Sequence, residues 1–372
     1  MTTDVGLYIH IPFCKKRCNY CDFCSSVLTN EGQIEEYLDF LLDEAEEYRG
    51  RGISIDTLYI GGGTPSLMPP KALKRLLCGL LQIFSFNNLI EFSVEANPGT
   101  LSFDKLKAYR ELGVNRLSIG LQSTSEAELK ALGRIHTYED FLLSYNEARR
   151  AGFENISVDL MYGIPKQSLL SLEKSLTLVT SLGVDHLSLY GLIVEPDTPF
   201  FENREKLNLP SEDTEAAMYA LGCSMLRRRG YSHYEISNYA KEGRECRHNL
   251  KYWRNEQYIG LGMSAYSYFD ACRYGNSCKK EEYYSHGRAK YRQVEKVSPY
   301  DERFEYAMMR LRLGEGINLR DYKAHFSEEF FEKRADKINK YIDLGLVRFE
   351  NGRIFLTEKG FYLSNTVMSD IL

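Results

Sequence analysis

Short apolar runs alternate with longer amphipathic segments along the first half of the chain. The short runs predict six β-strands, at residues 7–11, 57–60, 90–94, 116–119, 156–160 and 186–190. The segments between them have apolar residues at helical spacing and predict helices at residues 35–48, 71–84, 103–112, 138–151 and 169–182. Strict alternation of this kind is typical of parallel strands joined by crossover helices. We therefore predict an α/β protein that begins with a partial (β/α)6 barrel, open along one side.

The pattern changes in the second half of the chain. A long helix is predicted at residues 214–229, and a tyrosine-rich strand follows it at residues 231–239. The region from there to about residue 290 is rich in Gly and Tyr, and we expect it to be irregular and to form a cap over a site. After Pro299 three helical segments precede a hairpin signal at Asn351-Gly352, and a final helix is predicted at residues 358–368.

Helices followed by a hairpin and a last helix are typical of a winged-helix module. We expect this part to form a small C-terminal α+β winged-helix-like domain. The predicted divisions are residues 1–210 for the barrel core, 211–298 for the cap and connecting region, and 299–372 for the C-terminal domain.

Three cysteines, Cys14, Cys18 and Cys21, directly follow the first predicted strand at spacings of four and three residues. A four-iron, four-sulfur cluster normally takes one thiolate per iron, so three cysteines leave one iron open to a small molecule. The alternatives are free structural thiols and a zinc site. Zinc prefers four protein ligands, and Cys246 and His248, which would supply a second pair, lie far along the chain. The spacing favours a 4Fe-4S cluster.

Net charge, apolar runs and cysteine content limit the classes of protein to which the chain is expected to belong. The net charge of −5 argues against a nucleic-acid binder that relies on a basic surface. No run approaches eighteen apolar residues, so we expect no transmembrane segment, although peripheral contact with a membrane stays compatible with the sequence. The first residues lack the features of an export signal, so the nine cysteines are expected to stay thiols or bind metal in a reducing compartment. The expected location is cytoplasmic.

Chemically useful residues stand at the ends of the predicted strands, where parallel barrels gather their active sites. Three glycines at residues 61–63 let a backbone approach a ligand without a Cβ in the way. Glu95 and Asp159 are acceptors suited to ribose hydroxyls or an ammonium group, and Gln122 can both donate and accept. Arg134 is suited to a forked contact with the carboxylate of methionine. Each of these side chains, taken alone, also fits a solvated or capping role.

Several motifs carry a resemblance to a known family: the run over residues 8–23, Gly61-Gly62-Gly63-Thr64-Pro65-Ser66, Val94-Glu95-Ala96-Asn97-Pro98, Gly120-Leu121-Gln122-Ser123, Gly133-Arg134 and Asp159-Leu160-Met161-Tyr162-Gly163-Ile164-Pro165. Together they resemble the oxygen-independent coproporphyrinogen III oxidase branch of the radical S-adenosylmethionine (SAM) superfamily. The resemblance implies a radical SAM barrel, a 4Fe-4S cluster and S-adenosyl-L-methionine as cofactors. The residues implied to surround SAM are Tyr8 and Tyr20 beside the cluster, Gly62, Gly63 and Thr64 at the methionine end, and Glu95, Gln122, Arg134 and Asp159 around the remainder.

Two features separate the chain from the oxidase itself. The oxidase resemblance requires a further Cys two residues after Cys21, but that position is Phe23, and Cys24 lies one residue beyond. The run over residues 248–253 is similar to the HNxxYW signature of the HemW heme chaperones, and residues 356–365 are similar to the C-terminal end of that family. This resemblance implies a chaperone that binds heme and transfers it to an acceptor, including respiratory proteins, with an electron donor as a further partner.

The alternative function is an oxygen-independent coproporphyrinogen III oxidase or a related radical SAM enzyme, so the sequence leaves catalysis open. By the resemblance, His248 is the leading candidate for heme contact, ahead of His233 and Cys246. The alternative for His248 is a structural role, with hydrogen bonds that hold its segment in place. Because Cys24 is displaced by one residue, we expect it beside the cluster and not on it.

Overall fold

The computed structural model describes residues 4–285 and 293–372. Its strands, in chain order, are β1 (Asp4–Ile11), β2 (Phe13–Cys14), β3 (Ser26–Val27), β4 (Ser54–Gly62), β5 (Glu91–Ala96), β6 (Arg116–Gln122), β7 (Asn155–Tyr162), β8 (His186–Gly191), β9 (Ser232–Glu235), β10 (Asn238–Ala240), β11 (Tyr258–Leu261), β12 (Tyr266–Phe269), β13 (Cys272–Gly275), β14 (Gln293–Lys296), β15 (Ile317–Asn318), β16 (Val347–Glu350) and β17 (Arg353–Leu356).

The α-helices of the same ranges are α1 (Gly32–Ala45), α2 (Pro70–Leu80), α3 (Phe103–Glu111), α4 (Glu126–Ala131), α5 (Tyr138–Arg150), α6 (Leu169–Ser181), α7 (Pro199–Glu202), α8 (Glu212–Arg228), α9 (Arg247–Trp253), α10 (Lys280–Ser285), α11 (Pro299–Arg310), α12 (Leu319–Phe326), α13 (Ala335–Asp343), α14 (Glu358–Tyr362) and α15 (Ser364–Ile371). The strands and helices predicted for the first half of the chain are confirmed, with bounds that differ by a few residues.

Six parallel strands, β1 and β4 to β8, lie side by side in chain order and form the partial barrel. Residues alternate along each strand between two faces. On β6, Leu117, Ile119 and Leu121 are apolar and fully buried in the main hydrophobic core, to which the crossover helices also contribute. Burial of one such side chain contributes about 1.5–3 kcal/mol. The intervening positions of β6, Arg116 and Ser118 among them, are polar and line the interior of the barrel.

Further strands extend the barrel sheet at both edges. Strands β10 and β9 continue it antiparallel beyond β8, while β11 pairs parallel with β1 and is followed by β12, β13 and β14. The prediction of an irregular region up to about residue 290 is therefore wrong. Its strands are only four residues long or shorter, too short for a recognisable alternation. The turn between β12 and β13 also lacks a sequence signal, because Asp270 and Ala271 both have positive φ and Ala rarely adopts such a conformation.

Helix α9 lies at the N-terminal ends of β1, β4 and β5. Gly6 permits this close packing, because a Cβ at its position would lie 2.9 Å from Cδ of Lys251 and 3.2 Å from Cε1 of His248. The carboxylate of Glu91, at the start of β5, accepts hydrogen bonds from the backbone amides of Arg247 and His248. The segment with the HNxxYW-like residues thus closes the end of the barrel opposite to the predicted rim.

The C-terminal part has the predicted order of helices, hairpin and helix. Strands β16 and β17 form the hairpin, and its turn residues Asn351 and Gly352 both have positive φ, as a two-residue hairpin turn requires. Strand β15 pairs with β17 and completes a three-stranded sheet. The predicted final helix is two helices, α14 and α15, separated at Leu363. The three domain boundaries stay predictions.

Candidate cluster and cofactor site

A cavity of about 430 Å³ occupies the C-terminal end of the barrel and extends into its interior. Most of the site residues predicted from the sequence line this one cavity, although they come from different strands and loops. They are Cys14, Cys18, Tyr20, Cys21, Gly62, Gly63, Thr64, Glu95, Gln122, Arg134 and Asp159. Tyr8 and the three heme candidates, His248, His233 and Cys246, do not line it.

The cysteine loop is fixed at both of its ends. Cys14 belongs to β2, which pairs in parallel with β3, so that the chain leaves and re-enters the same small sheet. The amide of Ser26 donates to the carbonyl of Pro12 (2.7 Å), and the amide of Leu28 donates to that of Cys14 (2.9 Å). Within the loop, Asn19 donates from its amide to the carbonyl of Leu132 at 2.9 Å. The loop is therefore held against α4 and the barrel rim.

The three thiols face the cavity with few protein partners. Thr64 Oγ1 lies 3.6 Å from Cys14 Sγ, and Arg134 Nη1 lies 3.5 Å from Cys18 Sγ. Burial raises the pKa of the Cys14 thiol, and it raises the pKa of Cys21 to about 11. Iron binding would take up these thiols as thiolates and release their protons. Among the described residues no three His, Cys, Asp or Glu side chains converge as ligands of a single metal ion would.

The glycines bring the backbone of the β4 loop against the cysteine loop. A Cβ at Gly63 would lie 2.7 Å from the carbonyl oxygen of Phe13 and 2.9 Å from Cys14 Sγ. Gly62 has a φ of +115°, and a Cβ there would lie 2.8 Å from Cε1 of His10. Gly63 requires Gly because a side chain there would displace the loop that carries the cysteines, and Gly62 requires it because of its positive φ and the nearby ring of His10.

Glu95 and Asp159 place two carboxyl groups on the cavity wall. Tyr59 Oη and the amide of Gly62 donate to Glu95 at 2.9 Å and 3.0 Å. Burial nevertheless raises the pKa of Glu95 to about 7. Burial also raises the pKa of Asp159, whose Oδ1 accepts a hydrogen bond from Ser118 Oγ at 3.2 Å. Both groups suit contact with hydroxyl or cationic ligand atoms.

Buried polar atoms without partners point to a ligand in this cavity. Arg134 is oriented by Asn97 Oδ1, 2.8 Å from its Nη2, and by the carbonyl of Gly120, but its Nε has no hydrogen-bond partner. Gln122 has a φ of +66°, and its Oε1 also lacks a partner. Leaving such groups buried and unpaired costs about 1–3 kcal/mol each. A bound molecule with complementary groups would remove that cost.

Tyr8 supports the cavity wall from behind. Its hydroxyl is 3.0 Å from Nδ1 of His10, and its ring stacks on Tyr59, with the ring centres 6.2 Å apart. Tyr59 itself lines the cavity. Tyr8 therefore supports the cavity through Tyr59 and does not line it. Its place beside the cluster, which the family resemblance implies, stays a prediction.

His248 lies at the opposite end of the barrel and is fully buried, with an exposed fraction of 0%. Its Nδ1 is 2.9 Å from Thr57 Oγ1, and its Nε2 is 2.7 Å from Tyr252 Oη. Both nitrogens are therefore engaged, and neither is free to bind a heme iron. Burial lowers the pKa of His248 to about 3, so the ring is neutral. This geometry supports the structural alternative for His248, and the predicted contact with heme stays a prediction.

The other sulfur and imidazole candidates lie away from the cavity, and of these Cys246 is hydrogen-bonded through its thiol, whereas the Nδ1 of His233 is buried without a hydrogen-bond partner. Cys246 Sγ is fully buried, 3.4 Å from Glu91 Oε1, at the end of the barrel opposite to the cysteine loop. The alternative of a zinc site that combines Cys246 and His248 with that loop is therefore wrong. His233 stacks on Tyr239 and lies against Phe361, and its Nε2 is 3.2 Å from the carbonyl of Ile236.

Cys24 forms a disulfide with Cys278, which leads into α10. The prediction that Cys24 stands apart from the cluster ligands agrees with this pairing. The expectation that all cysteines stay thiols or bind metal is wrong for this pair, which lies 254 residues apart in the chain and has no local signal of pairing.

Sequence reasoning missed part of the cavity wall. The additional lining residues from the strands include Tyr59, Arg116, Ser118, His186, Ser188 and Tyr190, and Asn249 closes the cavity from α9. A signal for them exists, because polar residues at alternate positions of a parallel strand mark the side that faces away from the apolar core. On β8 this alternation places His186, Ser188 and Tyr190 on one face.

Comparisons with known proteins agree with this geometry. The family model of the radical SAM superfamily matches residues 8–179, and that of the HemN C-terminal domain matches residues 297–363. The heme chaperone HemW of Bacillus subtilis is 37% identical over 98% of this chain and 98% of its own length. The chain belongs to the HemW family. The Escherichia coli HemW is 38% identical, over 83% of this chain and 82% of its own length.

A solved structure supports the fold of the same family. The coproporphyrinogen III oxidase HemN of Escherichia coli, described as a radical SAM enzyme, superposes with a TM-score of 0.86 at 25% identity. The match covers 100% of this chain and 90% of the oxidase. Membership of the radical SAM superfamily implies a 4Fe-4S cluster and SAM, and the cavity at the barrel rim has the residue types that such groups need.

Proposed function

We propose that Cys14, Cys18 and Cys21 bind a 4Fe-4S cluster and that SAM occupies the cavity beside it. Three cysteine thiols on one ordered loop fit a cluster with one iron left open to SAM. Arg134 suits the methionine carboxylate, since its guanidinium is held at the cysteine loop and retains an unpaired Nε. Glu95 suits the ribose hydroxyls. When bound, the cluster and SAM supply reductive cleavage of a carbon–sulfur bond.

We propose that this protein is a heme chaperone of the HemW type, which binds heme and transfers it to an acceptor protein. The observation that carries the proposal is similarity to curated HemW chaperones over nearly the full length of the chain. Phe23 adds to it, since this residue, at the position where the oxidase requires a cysteine, is 57% exposed at the cavity mouth. An exposed aromatic ring is suited to contact with a flat, apolar macrocycle.

The proposal includes further partners. Heme transfer needs an acceptor, for which a respiratory heme protein is our candidate, and the cluster needs an electron donor. We place the protein in the cytoplasm. Of the helices in the described ranges, none is both long and apolar enough to cross a bilayer.

The experiment that tests this function combines heme binding with an oxidase assay. The protein is purified anaerobically, its cluster is reconstituted, and heme binding is followed by absorbance. The same samples receive coproporphyrinogen III, SAM and a reductant, and the products are separated by chromatography. Stoichiometric heme binding with transfer to an apo-acceptor and no decarboxylation supports the chaperone. Turnover to protoporphyrinogen would establish the oxidase alternative instead.

The site of heme contact is tested with two variants. Phe23→Ala removes the exposed ring at the cavity mouth, and we expect weaker heme binding with an unchanged iron content. His248→Phe keeps a buried ring at the base of the barrel, and we expect its heme binding per folded molecule to equal that of the wild type. Loss of heme binding in His248→Phe but not in Phe23→Ala would show that His248 contacts the heme, as the family resemblance implies.

A further inference from the structure

The loop that carries the three cysteines borders a second, smaller recess in addition to the cavity assigned to SAM. This recess has a volume of about 170 Å³, and Cys18, Thr64 and Arg134 line it as well as the larger cavity. Its other lining residues are those at 97–100, 133, 135 and 136 together with Lys15, Lys16 and Asp140. Cys18 is thus approached from two sides, and one of them does not pass through the cavity assigned to SAM.

Three consecutive cations occupy the loop between the first two cysteines. Lys15, Lys16 and Arg17 are all exposed, and they separate Cys14 from Cys18. Among the described residues no carboxylate forms an ion pair with any of the three. The chain as a whole has a net charge of −5, so this loop is a local exception. An acidic protein is therefore attracted to the loop and repelled by the overall charge of the chain.

The neighbouring carboxylates do not cancel this positive charge. Asp140 lines the recess, but it caps α5 and accepts hydrogen bonds from the amide and the hydroxyl of Thr137, at 2.9 Å and 3.1 Å. Asp22, near the other end of the loop, is exposed and lines the larger cavity but not the recess. The surface around the recess therefore carries more positive than negative charge.

Ile135 adds an exposed apolar side chain to the same surface. It lines the recess and is 61% exposed. Its segment is packed closely on the cysteine loop, since a Cβ at Gly133 would lie 2.8 Å from Oδ1 of Asn19. Lys15 donates from its Nζ to the carbonyl of Gly99 at 3.3 Å, which links the two walls of the recess. Apolar contact surrounded by polar and charged groups is typical of protein–protein interfaces.

We propose that Lys15, Lys16, Arg17 and Ile135, which we call the basic face, are the docking site of the electron donor. The donor is an acidic protein with its redox group at its surface. The inference rests on the proposed function, because it requires the cluster. One electron passes from the reduced donor to the oxidised cluster, so the donor loses one electron and the cluster gains it, and no bond or proton is transferred.

The position of the basic face suits this step. The rate of electron transfer falls steeply with distance, and Cys18, a proposed cluster ligand, lines the recess directly beneath the basic face. Phe23, the proposed heme contact, lines the larger cavity and not the recess. The donor is therefore able to dock while SAM and heme are bound on the other side of the cysteine loop.

Flavodoxin, an acidic protein with an exposed flavin, is the probe for the basic face. Full-length, cluster-loaded protein is mixed anaerobically with reduced flavodoxin or with photoreduced 5-deazariboflavin, which is small and uncharged. The reduced cluster is quantified by electron paramagnetic resonance after rapid freezing. In Lys15→Glu we expect the rate constant with flavodoxin to fall by at least about fivefold, and in Lys15→Gln by less, because charge steers the protein donor. The rate constant with 5-deazariboflavin stays unchanged. Lys359→Glu, exposed on α14, is the matched control with unchanged rates.

A second measurement needs no variant. Raising the ionic strength from about 0.01 M to about 0.15 M shortens the screening length from about 30 Å to about 8 Å, so we expect reduction by flavodoxin to slow and reduction by 5-deazariboflavin to stay the same. Equal flavodoxin rates in wild type and Lys15→Glu, a rate that ignores salt, or reduction by 5-deazariboflavin alone would overturn the docking site and leave the proposed function intact. Failure of the wild type to take up a cluster would contradict the proposed function, and the docking site would fall with it.

Discussion

The two ends of the barrel contain similar residue types but differ in whether the polar atoms of these residues have partners within the protein. At the C-terminal rim, the sulfurs of Cys14, Cys18 and Cys21 face a cavity, and buried atoms of Gln122 and Arg134 have no partner. At the N-terminal end, His248 and Cys246 are fully buried, and each is hydrogen-bonded to protein groups. The rim thus has unpaired polar atoms that a ligand would satisfy, whereas the side chains of His248 and Cys246 at the base already have protein partners.

The difference shows how to tell a ligand residue from a structural one. Cysteine and histidine are both common metal ligands, so residue type alone does not separate the two ends. What separates them is whether the polar atoms are already satisfied. A group that uses all of its hydrogen-bonding capacity within the protein stabilises the fold, and a group that is held in place but left unpaired is available to a ligand.

The largest expected effect is at the rim. Cys18→Ala removes one of the three proposed cluster ligands, so we expect complete loss of the 4Fe-4S cluster after anaerobic reconstitution, because each iron needs its own thiolate. Iron analysis and visible absorbance measure the loss. Cys78→Ala, on the exposed surface of α2, is the matched control and retains its iron. Full iron content in Cys18→Ala would contradict the proposal that Cys18 binds the cluster.

At the base, the expected loss is in stability and not in cofactor. His248→Ala removes a ring that stacks on Tyr59, with centres 5.4 Å apart, and it leaves Thr57 and Tyr252 without their partner. We expect the free energy of unfolding to fall by about 3–5 kcal/mol. Denaturant titration measures the loss, and His325→Ala, at an exposed histidine of α12, serves as the control with little change. An unchanged denaturation midpoint in His248→Ala would show that His248 does not stabilise the fold.

The third prediction concerns the pH dependence of stability. Burial raises the pKa of Glu95 from 4.5 to about 7, so the folded protein binds this proton more tightly than the unfolded chain. Stability from this group is therefore greatest at low pH and falls as the pH rises from about 4.5 to about 7, by at most about 3 kcal/mol. Unfolding curves of cluster-free protein across this range measure the slope. In Glu95→Gln we expect a shallower slope, and parallel curves would contradict the prediction.

The smallest effect tests the packing of the rim loops. Gly63→Ala introduces a methyl group 2.7 Å from the carbonyl oxygen of Phe13, so the cysteine loop has to move. We expect a cost of about 1–3 kcal/mol and a lower yield of reconstituted cluster. In the control Gly32→Ala, at the start of α1, the methyl group meets only the side chain of Asn30, which is able to turn away. Equal cluster yields in both variants would show that the loop has room to adjust.

Much of the site could be predicted from the positions of its residues along the strands. Glu95, Gln122 and Asp159 stand at or near the ends of parallel strands, and such ends meet at one rim whatever the details of packing. The position of α9 did not follow in this way. Nothing local indicates that residues 247–253 fold under the barrel, because that contact depends on Gly6 and Glu91, which lie more than 150 residues earlier in the chain.

The sequence by itself determined the alternation of strands and helices, the cysteine spacing and the glycine turn of this protein. These features are local, since hydrophobic period, turn chemistry and ligand spacing act over a few residues. Only the tertiary structure decided that His248 is enclosed at the base, that Cys24 pairs with Cys278 and that the Nε of Arg134 is buried without a hydrogen bond. Each of these depends on which distant groups share a buried space, because burial and hydrogen-bond satisfaction are properties of the packed molecule.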